Sequence, residues 1–174
     1  MANVTSNTAS TEKNNISQRL AGKYLTFRLA EEEYGLEILK VQEIIQMQAV
    51  TKVPRTPGYV RGVINLRGKV IPVVDLRTKF GLADTKDTEK TCIIVVQIAH
   101  VDSKVTTGII IDEVKEVLDI KQENIEETPS FGSSVKTEFI LGMGKIGASV
   151  KILLDIDKVM SIQDLTSITA ATQQ

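Results

Sequence analysis

The chain of 174 residues has no tryptophan, one cysteine and one histidine, and only 4% of it is aromatic. Each scarcity removes a class of function. A lone cysteine, Cys92 within "CIIVV", excludes an internal disulfide framework and a thiolate metal cluster, and in an apolar run it reads as a small buried hydrophobe. His100 closes "CIIVVQIAH" with no second histidine near it, so it nominates neither a zinc site nor a nucleophile and base pair and reads as a surface turn residue. Scattered carboxylates nominate no acid and base pair either. Neither charge sign dominates: 21 Lys and Arg face 22 Asp and Glu, which leaves no overall field to draw in nucleic acid or an anionic membrane. Apolar runs stay well short of the ~18 residues a spanning helix needs, and the first twenty residues lack the apolar core of a signal peptide. The expected compartment is the cytoplasm, and no metal or cofactor is expected.

What is present is a core-forming composition and an internal repeat. At 42% hydrophobic the chain can bury a core. Residues 1–19, rich in Asn, Thr and Ser, and residues 163–174 read as disordered tails, because they hold too little apolar surface to offset their ordering entropy. Between them, "GLEILKVQEII" (35–45) aligns with "GIIIDEVKEVL" (108–118), placing Gly35 over Gly108, Val41 over Val114 and Glu43 over Glu116. Residues 62–76 align with 142–156 without a gap, Gly62 over Gly142 and Asp75 over Asp155. Two blocks in the same order imply duplication, with the junction in "GLADTKDTEK" (81–90). The expected units are 20–85 and 86–162, each close to the lower size limit for independent folding, so a shared core is expected.

Strand signals dominate both units. "YLTFRL" alternates, "CIIVVQI" and "TTGIII" are continuous β-branched runs, and polar clusters interrupt them at short intervals. Short strands without helical crossovers predict antiparallel barrels or sandwiches. In "ILKVQEII", Ile38, Val41 and Ile45 recur at helical spacing and predict one or two helical turns. Asp75 is an expected helix N-cap with Gly81 past the helix end, and Asp155 or Asp157 is expected to do the same in the second unit. Pro72 cannot donate to a ladder, which predicts an edge strand or a bulge and a partly exposed hairpin around Arg67 and Gly68. "GMGKIG" (142–147) fits a dinucleotide fingerprint only as a string, since "ASVKILLDID" follows it as a strand rather than as the helix that would bind phosphate.

The stretches "EEEYGLEILKVQEI", "TPGYVRGVINLRGKVIPVVDLRTKFGL" and "VTTGIIIDEVKEVLDI" closely resemble the CheW family of chemotaxis coupling proteins, over about Tyr24 to Met160. The resemblance implies a mainly β fold of two small five-stranded SH3-like barrels sharing a core, with short helical turns. It implies a non-enzymatic adaptor between the histidine kinase CheA, bound through its regulatory domain, and the cytoplasmic helical tips of chemoreceptors in membrane-associated arrays. Matched motif by motif, the expected receptor-binding residues are Glu43, Asn65, Arg67, Val114 and Val117. Arg67 and Glu43 are expected to form an ion pair across the groove between the barrels. The expected kinase-binding residues are Leu25, Ile38, Val41 and Ile44. The rival from another class is a small nucleic-acid-binding barrel, which would want aromatic stacking platforms and a basic groove; an undetected hydrolase would want pocket-facing groups of perturbed pKa.

Overall fold

A computed structural model describes residues 16–82, 86–100, 103–129 and 137–160. Eleven strands form two sheets among these residues. In chain order they are β1 (Gly22–Leu29), β2 (Glu32–Glu37), β3 (Val41–Gln46), β4 (Val60–Leu66), β5 (Lys69–Asp75), β6 (Cys92–His100), β7 (Ser103–Ile111), β8 (Glu113–Ile120), β9 (Ile125–Glu126), β10 (Ile140–Ile146) and β11 (Ser149–Leu154). Short helices α1 (Leu76–Lys79) and α2 (Ile156–Val159) follow β5 and β11. The fold is mainly β, as expected.

The strand order is β3-β6-β7-β5-β4 in one sheet and β8-β1-β2-β11-β10-β9 in the other. The repeat is visible in this order. In each sheet an antiparallel hairpin from one half of the chain, β6-β7 or β1-β2, lies between strands of the other half. Gly108 of β7 runs parallel beside Val73 of β5, and Gly35 of β2 beside Leu153 of β11, the same register in both copies.

This exchange corrects the expected unit boundaries. The halves 20–85 and 86–162 are not the two sheets. One sheet is continuous in sequence from β3 to β7, and the other is assembled from β1 and β2 before it and β8 to β11 after it. The polar stretch 81–90 joins α1 to β6 within one sheet, so it marks the repeat junction rather than a structural boundary.

Exchange explains why the β-branched runs are continuous. Along β6, Ile93 and Val95 point into a cluster with Ile64, Ile71, Val73 and Ile110, while Ile94, Val96 and Ile98 point into a larger cluster drawn from both sheets. A strand buried on both faces needs apolar residues at every position. The larger cluster, with Phe27, Leu29, Leu36, Val74, Leu76, Ile111, Leu154 and Ile156, is the shared core. A third cluster of Leu20, Tyr24, Ile120, Ile125 and Leu153 fills the second sheet.

Several local expectations hold. Asp75 caps α1 by accepting the Arg77 N–H, Asp155 caps α2 by accepting the Lys158 N–H, and Gly81 lies past α1 with φ 70°. Residues 142–147 lie in β10 and the turn after it, with no helix opening there. Cys92 is half-buried against the shared core, and burial pushes its thiol pKa up.

Others hold in part or not at all. The one or two helical turns expected from Ile38, Val41 and Ile45 are present as a single 3-10 turn, Ile38–Lys40, while Val41 and Ile45 lie in strand β3. From Glu43 on, burial along β3 alternates with period two, Glu43 and Ile45 lying on the inner face, while a bulge between Val41 and Glu43 turns Val41 to the shared core instead. Pro72 lies in an interior strand, but β7 pairs only with Val73–Asp75, so the missing N–H falls at the end of that ladder. Residues 16–20, expected within or beside the tail, are helical, with Ile16 and Leu20 one turn apart on the third cluster and the Leu20 carbonyl accepting the buried Tyr24 hydroxyl. The tail expectations for 1–15 and 163–174 and the side chain of His100 lie outside the described residues.

Candidate functional site

The turn between β4 and β5 is two residues long, Arg67 and Gly68, and both are left-handed, with φ of 50° and 87°. A connection of this length with two positive φ values matches the twist of the strands it joins. Gly68 adopts that backbone without cost, whereas for arginine it is disfavoured by a Cβ clash worth roughly 1–2 kcal/mol. Two side chains tie the turn down. Asn65 Oδ1 accepts from the Gly68 N–H at 2.8 Å, and Arg67 Nη2 pairs with Glu43 Oε1.

Arg67 leaves 72% of its side chain in solvent, while Glu43 is three-quarters covered on the inner face of β3. The expected ion pair is present, but its setting differs. β3 and β4 are the two edges of one sheet, so the pair closes that sheet into a barrel instead of crossing between barrels. A pair this exposed contributes under ~1 kcal/mol and mainly restrains where the guanidinium points.

Glu43, Asn65 and Arg67 therefore come together at one rim. Val114 and Val117 do not join them through any of these contacts: both sit on β8, an edge of the other sheet, Val114 half-buried against the shared core and Val117 52% exposed. Of the expected kinase-binding residues, Leu25 is a correction. It is 3% exposed, pairs with Leu36 and Val117 across two ladders and belongs to the shared core, so it offers no surface to a partner. Ile38 and Val41 are half-buried on the same core, and Ile44, which β3 turns outward, is 45% exposed.

Two features escaped the sequence reading. Leu39, at the centre of the 3-10 turn, is 95% exposed, and a helical reading of that segment had left it on no face. Arg77 is the other. Its guanidinium is 2% exposed and bonded to Asp75, Asp87 and Asp112, while Arg61 bridges Asp75 and Asp87. Burial raises the Asp75 pKa, but hydrogen bonds from Arg77 and Arg61 outweigh it and hold the carboxyl below its usual range. Asp87 is held low chiefly by its hydrogen bond from Arg61. The Asp112 carboxylate also accepts the Ala30 N–H at the tip of the β1-β2 hairpin, so this cluster fastens one exchanged hairpin to the other sheet. The signal available in sequence was an arginine two residues after an N-cap aspartate, beside the buried Leu76.

Comparison with known proteins adds family information. The sequence profile of the CheW-like domain matches residues 23–164. The chain is 38% identical over 152 residues to a chemotaxis protein CheW of Klebsiella aerogenes, covering 84% of this chain and 89% of that one. It is 35% identical over 145 residues to a chemotaxis protein CheW of Treponema pallidum, covering 81% and 83%. In structure it is similar to the scaffolding protein TtCheW of Thermoanaerobacter tengcongensis, with a TM-score of 0.72 at 35% identity over 83% of this chain and 96% of that one.

Proposed function

The chain belongs to the CheW-like domain family, and on that premise we propose that it is a non-enzymatic chemotaxis adaptor, coupling the cytoplasmic tips of chemoreceptors to the histidine kinase CheA. The observation that carries this reading is the rim where Glu43, Asn65 and Arg67 meet, because the "VQEI" and "NLRG" segments that resemble the family's coupling motifs lie far apart in sequence and are joined by an ion pair. A mostly solvated guanidinium, restrained by a carboxylate and set on a rigid hairpin, suits recognition of a polar helical tip. Val114 and Val117 provide apolar contact on the neighbouring barrel.

The kinase's regulatory domain meets a second surface, centred on Ile44 with Ile38 and Val41 behind it. The exposed Leu39 of the adjoining turn extends this surface. Among the described residues no helix is long and apolar enough to cross a membrane, and the proposed setting is the cytoplasmic face of receptor arrays. Nucleic-acid binding gains no support: the chain has no tryptophan and its relatives are chemotaxis proteins.

The test is calorimetric titration of the full chain with a CheA regulatory domain and, separately, with a receptor cytoplasmic fragment. Both are expected to bind. Ile44→Glu should weaken kinase binding roughly tenfold and spare the receptor, and Arg67→Ala should do the reverse. Binding to neither partner would overturn the reading.

A further inference from the structure

We propose that Asn65 is a positioning residue for Arg67: its side chain holds the β4-β5 turn in the backbone state that carries the guanidinium to Glu43, and it makes no receptor contact itself. The proposal rests on Arg67 being the receptor contact.

The internal repeat supplies the comparison. In the equivalent turn between β10 and β11, Gly147 stands at the position of Arg67 with φ 59°, and Ala148 at the position of Gly68. Lys145 replaces Asn65 and pairs with Glu126 at 2.8 Å. That turn is closed by Ser149 Oγ, which donates to the Ile146 carbonyl at 3.0 Å. With glycine at the left-handed position, the second turn has little to hold against.

The first turn has much more to hold. Arginine at φ 50° is pushed toward negative φ by the clash of its own Cβ with the following carbonyl. A rotation to negative φ would swing the side chain off Glu43. Asn65 stands in β4 opposite Val70, inside the ladder, where its backbone is fixed. From there Oδ1 takes the Gly68 N–H, and this bond fixes the residue immediately after Arg67. The bond needs an acceptor only. Aspartate can supply it, whereas the amide N–H groups that a direct contact would use are absent from aspartate.

Titration of a receptor cytoplasmic fragment into wild type, Asn65→Ala, Asn65→Asp, Arg67→Ala and the double variant Asn65→Ala with Arg67→Ala tests this, together with amide hydrogen exchange at Gly68. Asn65→Ala should weaken binding roughly fivefold, about the factor of one average net hydrogen bond, with the melting temperature little changed. Asn65→Asp should bind within about twofold of wild type, since its acceptor survives. Asn65→Ala should add nothing to Arg67→Ala, and should speed exchange at Gly68. The proposal is overturned if Asn65→Asp loses as much as Asn65→Ala, if the two alanine effects add, or if Gly68 exchange is unchanged. Wild-type binding by Arg67→Ala would overturn the receptor reading instead, and Gly68 exchange separates the two cases because it needs no receptor.

Discussion

The two helices that end the repeats occupy the same place in each copy and carry opposite charge at their second position, Arg77 against Asp157. Arg77 in α1 reaches Asp112 at the β7-β8 corner, and Asp157 in α2 reaches Lys40 at the β2-β3 corner. Each corner also pins the tip of an exchanged hairpin through a carboxylate: Asp112 takes the Ala30 N–H and Asp157 the Ala99 N–H. The difference lies in burial. Arg77 and Asp112 are 2% and 10% exposed, against 31% and 30% for Lys40 and Asp157. A duplicated backbone thus fixes where the hairpins must be held, while side-chain chemistry decides whether the fastening is a locked core element or a solvated surface pair. The turns repeat the lesson: one copy places glycine at the left-handed position, the other an exposed arginine.

The largest effect should come from breaking the buried corner. Arg77→Ala removes the buried guanidinium that Asp75, Asp87 and Asp112 share, leaving Asp75 and Asp87 to Arg61 alone, and should cost about 3–5 kcal/mol in urea unfolding. Lys40→Ala, the same operation on the other copy, should cost under ~1 kcal/mol. Equal losses would show that burial does not set the difference.

The same cluster predicts a pH dependence. Folded Asp75 and Asp87 have lowered pKa values, so their contribution is complete above the ordinary carboxylate range and is lost as pH falls through and below about 4. Melting temperature should therefore fall from about pH 5 to about pH 3, and this fall should be shallower in Arg77→Met, where the main cause of the Asp75 depression is gone while Arg61 still holds Asp87 low.

Next in size are the paired glycines of β4 and β10. A Cβ on Gly62, at φ 146°, would lie 2.0 Å from the Thr51 carbonyl oxygen; on Gly142 it would lie 3.0 Å from that of Glu126. Gly62→Ala should cost about 2–3 kcal/mol and Gly142→Ala about 1 kcal/mol, measured by chemical denaturation.

The turns should matter less to stability than Arg77 or Gly62. Gly147→Arg should cost about 1–2 kcal/mol for the left-handed backbone. Arg67→Gly should change stability by under ~1 kcal/mol, since relief of that cost offsets the lost ion pair.

Much of this was legible in the sequence. The repeat, strand content, caps at Asp75 and Asp155 and the Arg67-Glu43 pair follow from spacing, turn chemistry and resemblance. The hairpin exchange was not legible. Pairing partners of a strand are set by which faces bury together, and continuous runs such as "CIIVVQI" look alike wherever they pair. Leu25 shows the same limit at one residue: its pattern as an apolar strand position suits an interface or a core equally, and only the position of β1 between β8 and β2 places it in the core. Arg77 was missed because its three carboxylates come from β5, from the linker and from the β7-β8 corner.

The central claim is that the first copy accepts an arginine at the left-handed position of its turn because that side chain is used in recognition. Titration of a receptor cytoplasmic fragment into Arg67→Gly, with a thermal melt of the same sample, tests it directly. The account predicts a melting temperature at or near wild type together with loss of receptor binding. Wild-type affinity in a normally folded Arg67→Gly protein would contradict it.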